Sequence, residues 1–140
     1  MAFITPMNVR AVSGARMEPR QMDLPGSEDL TLDRLTQQWS IYQLKRGHRF
    51  SSDDLLTAWL AAEEVPEADL QLDLGAGIGS VGLLSLHRRG PEARLVMVEA
   101  QSVSHHLAKK TVAHNGLQDR VELRFGDLRD PAVVPEEGVF

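Results

Sequence analysis

Three acidic residues, Asp73, Glu99 and Asp127, stand where apolar runs give way to turns. The first lies two positions before Gly75-Ala76-Gly77-Ile78-Gly79, and the last follows Gly126 and precedes Leu128. A strand that passes through a glycine turn into a helix brings backbone N–H groups and a helix N-terminus to where an anionic or polar ligand can approach. Glycine is needed there because a Cβ would obstruct the turn or the ligand. In an open α/β sheet, ligands bind beyond the carboxyl ends of the strands. One such acid is readily a turn former or a helix cap, and the glycines taken alone fit an ordinary βα loop. Three acids at successive strand ends, bordering one glycine loop, point to a ligand site.

Two fingerprints overlap in the loop. Gly77-Ile78-Gly79-Ser80-Val81-Gly82 satisfies the dinucleotide pattern G-x-G-x-x-G, whereas Asp73 with Gly75, Gly77 and Gly79 satisfies D-x-G-x-G-x-G. The first reading leaves Gly75-Ala76 unexplained and sets Asp73 against a pyrophosphate. A carboxylate repels phosphate but suits a ligand with ammonium and sulfonium centres, which favours S-adenosylmethionine over NAD. Glu99 follows Gly75 at close to the ~20-residue offset of a carboxylate that accepts ribose hydroxyls. Asp127 is placed to accept from an adenine amino group, with Leu128 supplying a backbone N–H.

The surrounding elements are legible from periodicity. Leu70–Leu74, Arg94–Glu99 and Arg120–Asp127 read as strands, the first two nearly continuous in apolar residues as in a sheet buried on both faces. Helices fill the gaps: one from the glycine turn to Arg88 or Arg89, ended by Gly90-Pro91, and one carrying Val103, Leu107, Ala108 and Val112, closed by Asn115-Gly116. This alternation predicts parallel strands with right-handed crossovers. Upstream, Leu30–Leu35 and Trp39–Leu44 alternate as two short strands, with a turn at Lys45-Arg46-Gly47. Ser51-Ser52-Asp53-Asp54 caps a helix whose Leu55, Leu56, Trp59, Leu60 and Ala61 are spaced for one helical face. His105, His106 and His114 have no carboxylate at metal-ligand spacing and read as surface histidines; no metal is expected.

The 140 residues suffice for one domain with a real core. No cysteine is present, which excludes disulfides and thiolate metal sites and suits a cytoplasmic setting. No apolar run approaches the ~20 residues of a membrane span, and residues 1–20 carry no secretory h-region. The net charge of −5 is uneven, with the excess of acid falling after residue 50. Lys45, Arg46, His48 and Arg49 form a basic cluster, read as a solvated hairpin tip or as a phosphate-contacting edge toward RNA. Residues 1–28 are expected to be a flexible arm, 29–66 a hairpin and helix ahead of the core, and 67–140 the sheet domain.

Asp73-x-Gly75-x-Gly77-x-Gly79, the strand ending in Glu99, and Gly126-Asp127-Leu128 resemble the class I S-adenosylmethionine-dependent methyltransferases. The segment Gln43-x-x-x-Gly47-His48-Arg49-Phe50-Ser51-Ser52-Asp53-x-Leu55-Leu56-x-Ala58 is similar to the pre-core segment of bacterial enzymes that methylate the exocyclic amine of adenine in tRNA. The resemblance implies a Rossmann-like α/β fold of which this chain supplies the first three core strands. It implies a cofactor pocket bordered by Phe50, Ser51, Asp53, Asp73, Gly75, Ala76, Gly77, Gly79, Glu99, Ala100, Asp127 and Leu128, and an RNA edge at Lys45, Arg46 and Arg49. Amino-methylating members carry an Asn/Asp-Pro-Pro-aromatic motif after the fourth strand, and no such tetrapeptide occurs here. The expectation is therefore an N-terminal portion of a longer enzyme, inactive alone and self-associating through an uncovered sheet edge. The rivals are a cofactor- or partner-binding module without chemistry and a nicotinamide-dependent oxidoreductase fragment.

Overall fold

A computed structural model describes residues 24–134. The expected arm therefore lies, up to residue 23, outside the described residues. The chain enters through a 3-10 turn at Ser27–Asp29 and continues as β1 (Leu30–Arg34), β2 (Ser40–Leu44) and α1 (Ser52–Glu64). It goes on as β3 (Leu70–Leu74), α2 (Ser80–His87), β4 (Arg94–Glu99), α3 (Ser102–His114) and β5 (Val121–Phe125).

The apolar runs of β3, β4 and β5 form one parallel sheet in the order β3-β4-β5, with Asp73 opposite Met97 and Glu99 opposite Phe125. Alternation along β3 turns Gln71 and Asp73 toward α2, where Ser85 Oγ donates to Gln71 Oε1 at 2.6 Å and Gly82 N–H to Asp73 Oδ2 at 3.0 Å. Leu70, Leu72 and Leu74 consequently lie on the other face. Leu83, Leu86, Leu95, Met97 and Leu107 are fully buried between the sheet and α2 and α3, each large side chain contributing about 1.5–3 kcal/mol.

β1 and β2 form an antiparallel hairpin, with Leu30 opposite Leu44. It packs outside the helices as a further layer and drives Ile41 into the core. Side chains of α3 take the place of a third strand along β2. Asn115 accepts from Ser40 N–H at 2.9 Å and donates to Ser40 O at 2.7 Å, and Thr111 Oγ1 accepts from Tyr42 N–H at 2.9 Å. These contacts satisfy backbone groups that an edge strand would otherwise leave open.

Two expectations are corrected. The hairpin tip is Leu35–Trp39, closed by Leu35 and Thr36 N–H on Trp39 O, each at 3.0 Å. The Lys45–Arg49 cluster instead connects the open end of the hairpin to α1, with Lys45 N–H on Asp29 O at 2.8 Å. On α1 the buried residues are Ala58 and Ala62, whereas Leu55, Leu56, Trp59 and Leu60 are 47–63% exposed. The helix carries two apolar stripes, and the small-residue stripe lets it approach α2 closely; spacing alone does not say which stripe is used.

Candidate functional site

Gly75, Gly77 and Gly79 all adopt positive φ, at 74°, 59° and 89°. L-residues are strained there, so the turn itself calls for glycine. A Cβ on Gly75 or Gly77 would meet nothing within 4 Å, so the space before the loop is open. Four of the loop amides, however, are already bonded. Gly75 and Ala76 donate to Val98 O at 2.9 and 3.0 Å, Gly79 to Ala76 O at 2.8 Å, and Gly77 to Glu99 Oε2 at 2.7 Å. The expected cradle of unpaired N–H groups is thus narrowed: Gly75, Ala76 and Gly77 turn their donors onto β4 and Gly79 bonds within the loop, which leaves Ile78 and the amides of α2 ahead of Gly82.

What surrounds the loop is carboxylate. Glu99, only 6% exposed, accepts through Oε2 from Gly77 and through Oε1 from Gln101 N–H at 2.6 Å, tying the β3–α2 loop to the β4–α3 turn. Each oxygen keeps a further lone pair for a hydroxyl donor. Burial raises the pKa of Asp73 above the ordinary carboxylate value of 3.8; the Gly82 N–H opposes this, and the charges of Glu99 and Asp54 add to it. Asp54 reaches the same region from the first turn of α1, its Oδ2 accepting from Ser80 Oγ at 2.7 Å. A site ringed by three carboxylates, one of them short of charge stabilisation, suits a cation.

Asp54 was not among the residues expected from the sequence. Asp53, which was, is exposed, and its backbone N–H is capped by Ser51 Oγ at 3.3 Å. Ser51 is the N-cap of α1, as read. Both acids belong to one capping stretch, and only helical register separates the one that reaches Ser80 from the one that faces solvent.

Asp127 stands at the end of β5, exposed, and its carboxylate is gripped by the Arg129 guanidinium and backbone N–H, which hold its pKa well below the ordinary range. Ala100 and Leu128 are exposed beside Glu99 and Asp127, and Phe50 is half-buried against the core. His105 stacks at 5.1 Å on Phe125 near the same edge, with burial lowering its pKa. Of the basic cluster, Lys45 and Arg46 are exposed, and Lys45 Nζ caps Glu28 O. Arg49 is ion-paired with Asp33 at 2.8 Å and donates to Leu44 O at 2.8 Å, so it is not a free cation. Among the described residues no group of three His, Asp or Glu is placed to hold a metal, and no helix is long and apolar enough to cross a membrane.

The family profile of the methyltransferase small domain matches residues 50–135, from the α1 approach past β5. The chain belongs to this family. Among curated proteins this methyltransferase small domain is similar to two tRNA1(Val) (adenine(37)-N6)-methyltransferases. The one from Bacteroides thetaiotaomicron is 32% identical over 87 residues, 61% of this chain and 35% of the relative. The one from Porphyromonas gingivalis is 31% identical over 100 residues, 69% of this chain and 38% of the relative. The chain thus spans little more than a third of the length of these relatives. A solved structure from Pyrococcus horikoshii superposes over 75% of this chain and 39% of its own, with a TM-score of 0.60 at 20% identity, which speaks for the fold. The partial Rossmann-like arrangement expected from the sequence is the one observed, and the family decides against the oxidoreductase reading.

Proposed function

We propose that this chain carries the S-adenosylmethionine site of a methyltransferase acting on the exocyclic amine of adenine in tRNA. The observation that carries the reading is the glycine loop itself: the amides of Gly75, Ala76 and Gly77 are spent on β4 while Asp54, Asp73 and Glu99 surround it. A site rich in carboxylates favours a cationic cofactor over a dinucleotide. The open space before Gly75 and Gly77 and the spare lone pairs of Glu99 fit that group. When bound, S-adenosylmethionine supplies an electrophilic methyl group. Asp73 would then balance its positive charge, Glu99 would hold the ribose hydroxyls, and Asp127 and Leu128 would meet the adenine. Ser51 fixes the start of α1 and Asp54 holds it to the loop, so these residues act by orientation, which is most of what such a transfer requires.

The tRNA assignment rests on the two curated relatives and the Gly47–Ala58 segment. Lys45 and Arg46 are the exposed cations beside that segment and would contact phosphate; Arg49, committed to Asp33, would shape the edge. The division into arm, pre-core hairpin and helix, and sheet domain, a cytoplasmic setting, and self-association through β3 belong to the same reading. β3 borders β4 on one side only, and Leu74 is half exposed. Calorimetry with S-adenosylhomocysteine and NADH is the test. Binding of the former alone is expected; binding of NADH alone overturns the cofactor. Methyl transfer to unmodified tRNA is expected to need more than this chain, and light scattering checks its mass.

A further inference from the structure

We infer that Gln43 is a positioning residue for the cofactor site: its buried amide couples the Asp33–Arg49 ion pair of the hairpin to the backbone of Phe50 and fixes the segment that leads into α1. The inference rests on the proposed cofactor role of the glycine loop. Gln43 is 1% exposed, and both ends of its side chain are used. Nε2 donates to Asp33 Oδ2 at 3.1 Å, and Oε1 accepts from Phe50 N–H at 2.8 Å. The same Asp33 oxygen accepts from Arg49 Nη2 at 2.8 Å and Thr31 Oγ1 at 2.5 Å, while Arg49 Nη1 donates to Thr31 Oγ1 at 3.0 Å.

One carboxylate therefore anchors two consecutive residues, Arg49 through its side chain and Phe50 through Gln43. The next residue, Ser51, is the cap of α1, and Asp54 in the first turn reaches Ser80 beside Gly79. Contacts run unbroken from the hairpin to the glycine loop. Gln43 is not what docks the hairpin, because Thr111 of α3 and its C-cap Asn115 do that on β2. Its amide serves the approach to α1. Losing it leaves Phe50 N–H without its acceptor in a half-buried setting, where an unmade bond is costly.

The test is calorimetric titration of S-adenosylhomocysteine into the full chain and three variants, with folding followed by circular dichroism. Gln43→Leu removes both bonds, and Gln43→Glu sets a second carboxylate against Asp33; each is expected to weaken binding about tenfold. Asn115→Ala loosens the hairpin elsewhere and should stay within about twofold of the unaltered chain. Unchanged binding in Gln43→Leu, or equal weakening in Asn115→Ala, overturns the inference. Should Gln43→Leu not fold, Gln43→Glu against Asn115→Ala decides alone. An unaltered chain that does not bind the probe overturns the cofactor reading itself, and the inference with it.

Discussion

Gly82 donates its backbone N–H to Asp73 at 3.0 Å, and a Cβ at Gly82 would stand 2.7 Å from that same carboxylate oxygen and 3.0 Å from Leu95 Cδ2. The absence of a side chain at the first turn of α2 is what lets the helix close on the acid. Gly82→Ala forces Asp73 away from its donor or α2 away from β4. It should destabilise the chain by about 1–3 kcal/mol, the usual cost of overpacking. Urea unfolding measures this, and an unchanged midpoint would mean that the helix moves freely.

Glu99 faces two backbone donors, Gly77 and Gln101, one on each oxygen. Glu99→Gln replaces one acceptor by an NH₂ group aimed at an N–H, so one bond is lost and two donors are opposed. A loss of about 1–3 kcal/mol of stability is expected, together with at least tenfold weaker binding of S-adenosylhomocysteine. Retained affinity in a folded variant would remove the ribose role from Glu99.

The sheet and its helices were legible because their signals are local. Leu70–Leu74 and Arg94–Glu99 are apolar runs of strand length, and both are strands with those bounds. Asn115-Gly116 closes α3 as expected, with Gly116 at φ 67°. What was not legible depends on partners distant in sequence. The alanine stripe of α1 is chosen by α2, the pairing of Arg49 by Asp33 across the hairpin, and the inward turn of the loop amides by Val98 and Glu99. The three acids stand at or beside strand ends, as expected, but the hydrogen bonding around them could not be read from spacing.

Asp54 and Asp53 are neighbours with different work. Asp54 accepts from the buried Ser80 hydroxyl, whereas Asp53 is exposed in the first turn, where its charge complements the helix dipole. Asp53→Ala should cost about 0.3–1 kcal/mol and leave cofactor affinity near its original value. Asp54→Ala frees α1 from the glycine loop and should lower affinity as well as stability, by about 1.5–3 kcal/mol for the charge-assisted bond. Binding curves for the two variants that coincide would assign Asp54 to capping alone.

Asp73 gives the site a pH dependence of predictable sign. Burial first, then the charges of Glu99 and Asp54, raise its folded pKa above 3.8 against the pull of the Gly82 N–H. A folded value above the unfolded one means that the native state holds the proton more tightly. The stability that this contributes is present below 3.8 and is lost as pH rises through the folded value. A cationic ligand acts in the opposite sense, because sulfonium and ammonium charge favours the carboxylate and binding expels the proton. Affinity for S-adenosylmethionine should therefore fall as pH drops from neutrality through the raised pKa, and be level above it. Asp73→Asn should bind more weakly and lose this part of the pH dependence. Calorimetry across the range, repeated in buffers of different ionisation enthalpy, counts the protons released. An equal slope in Asp73→Asn would place the titrating group elsewhere.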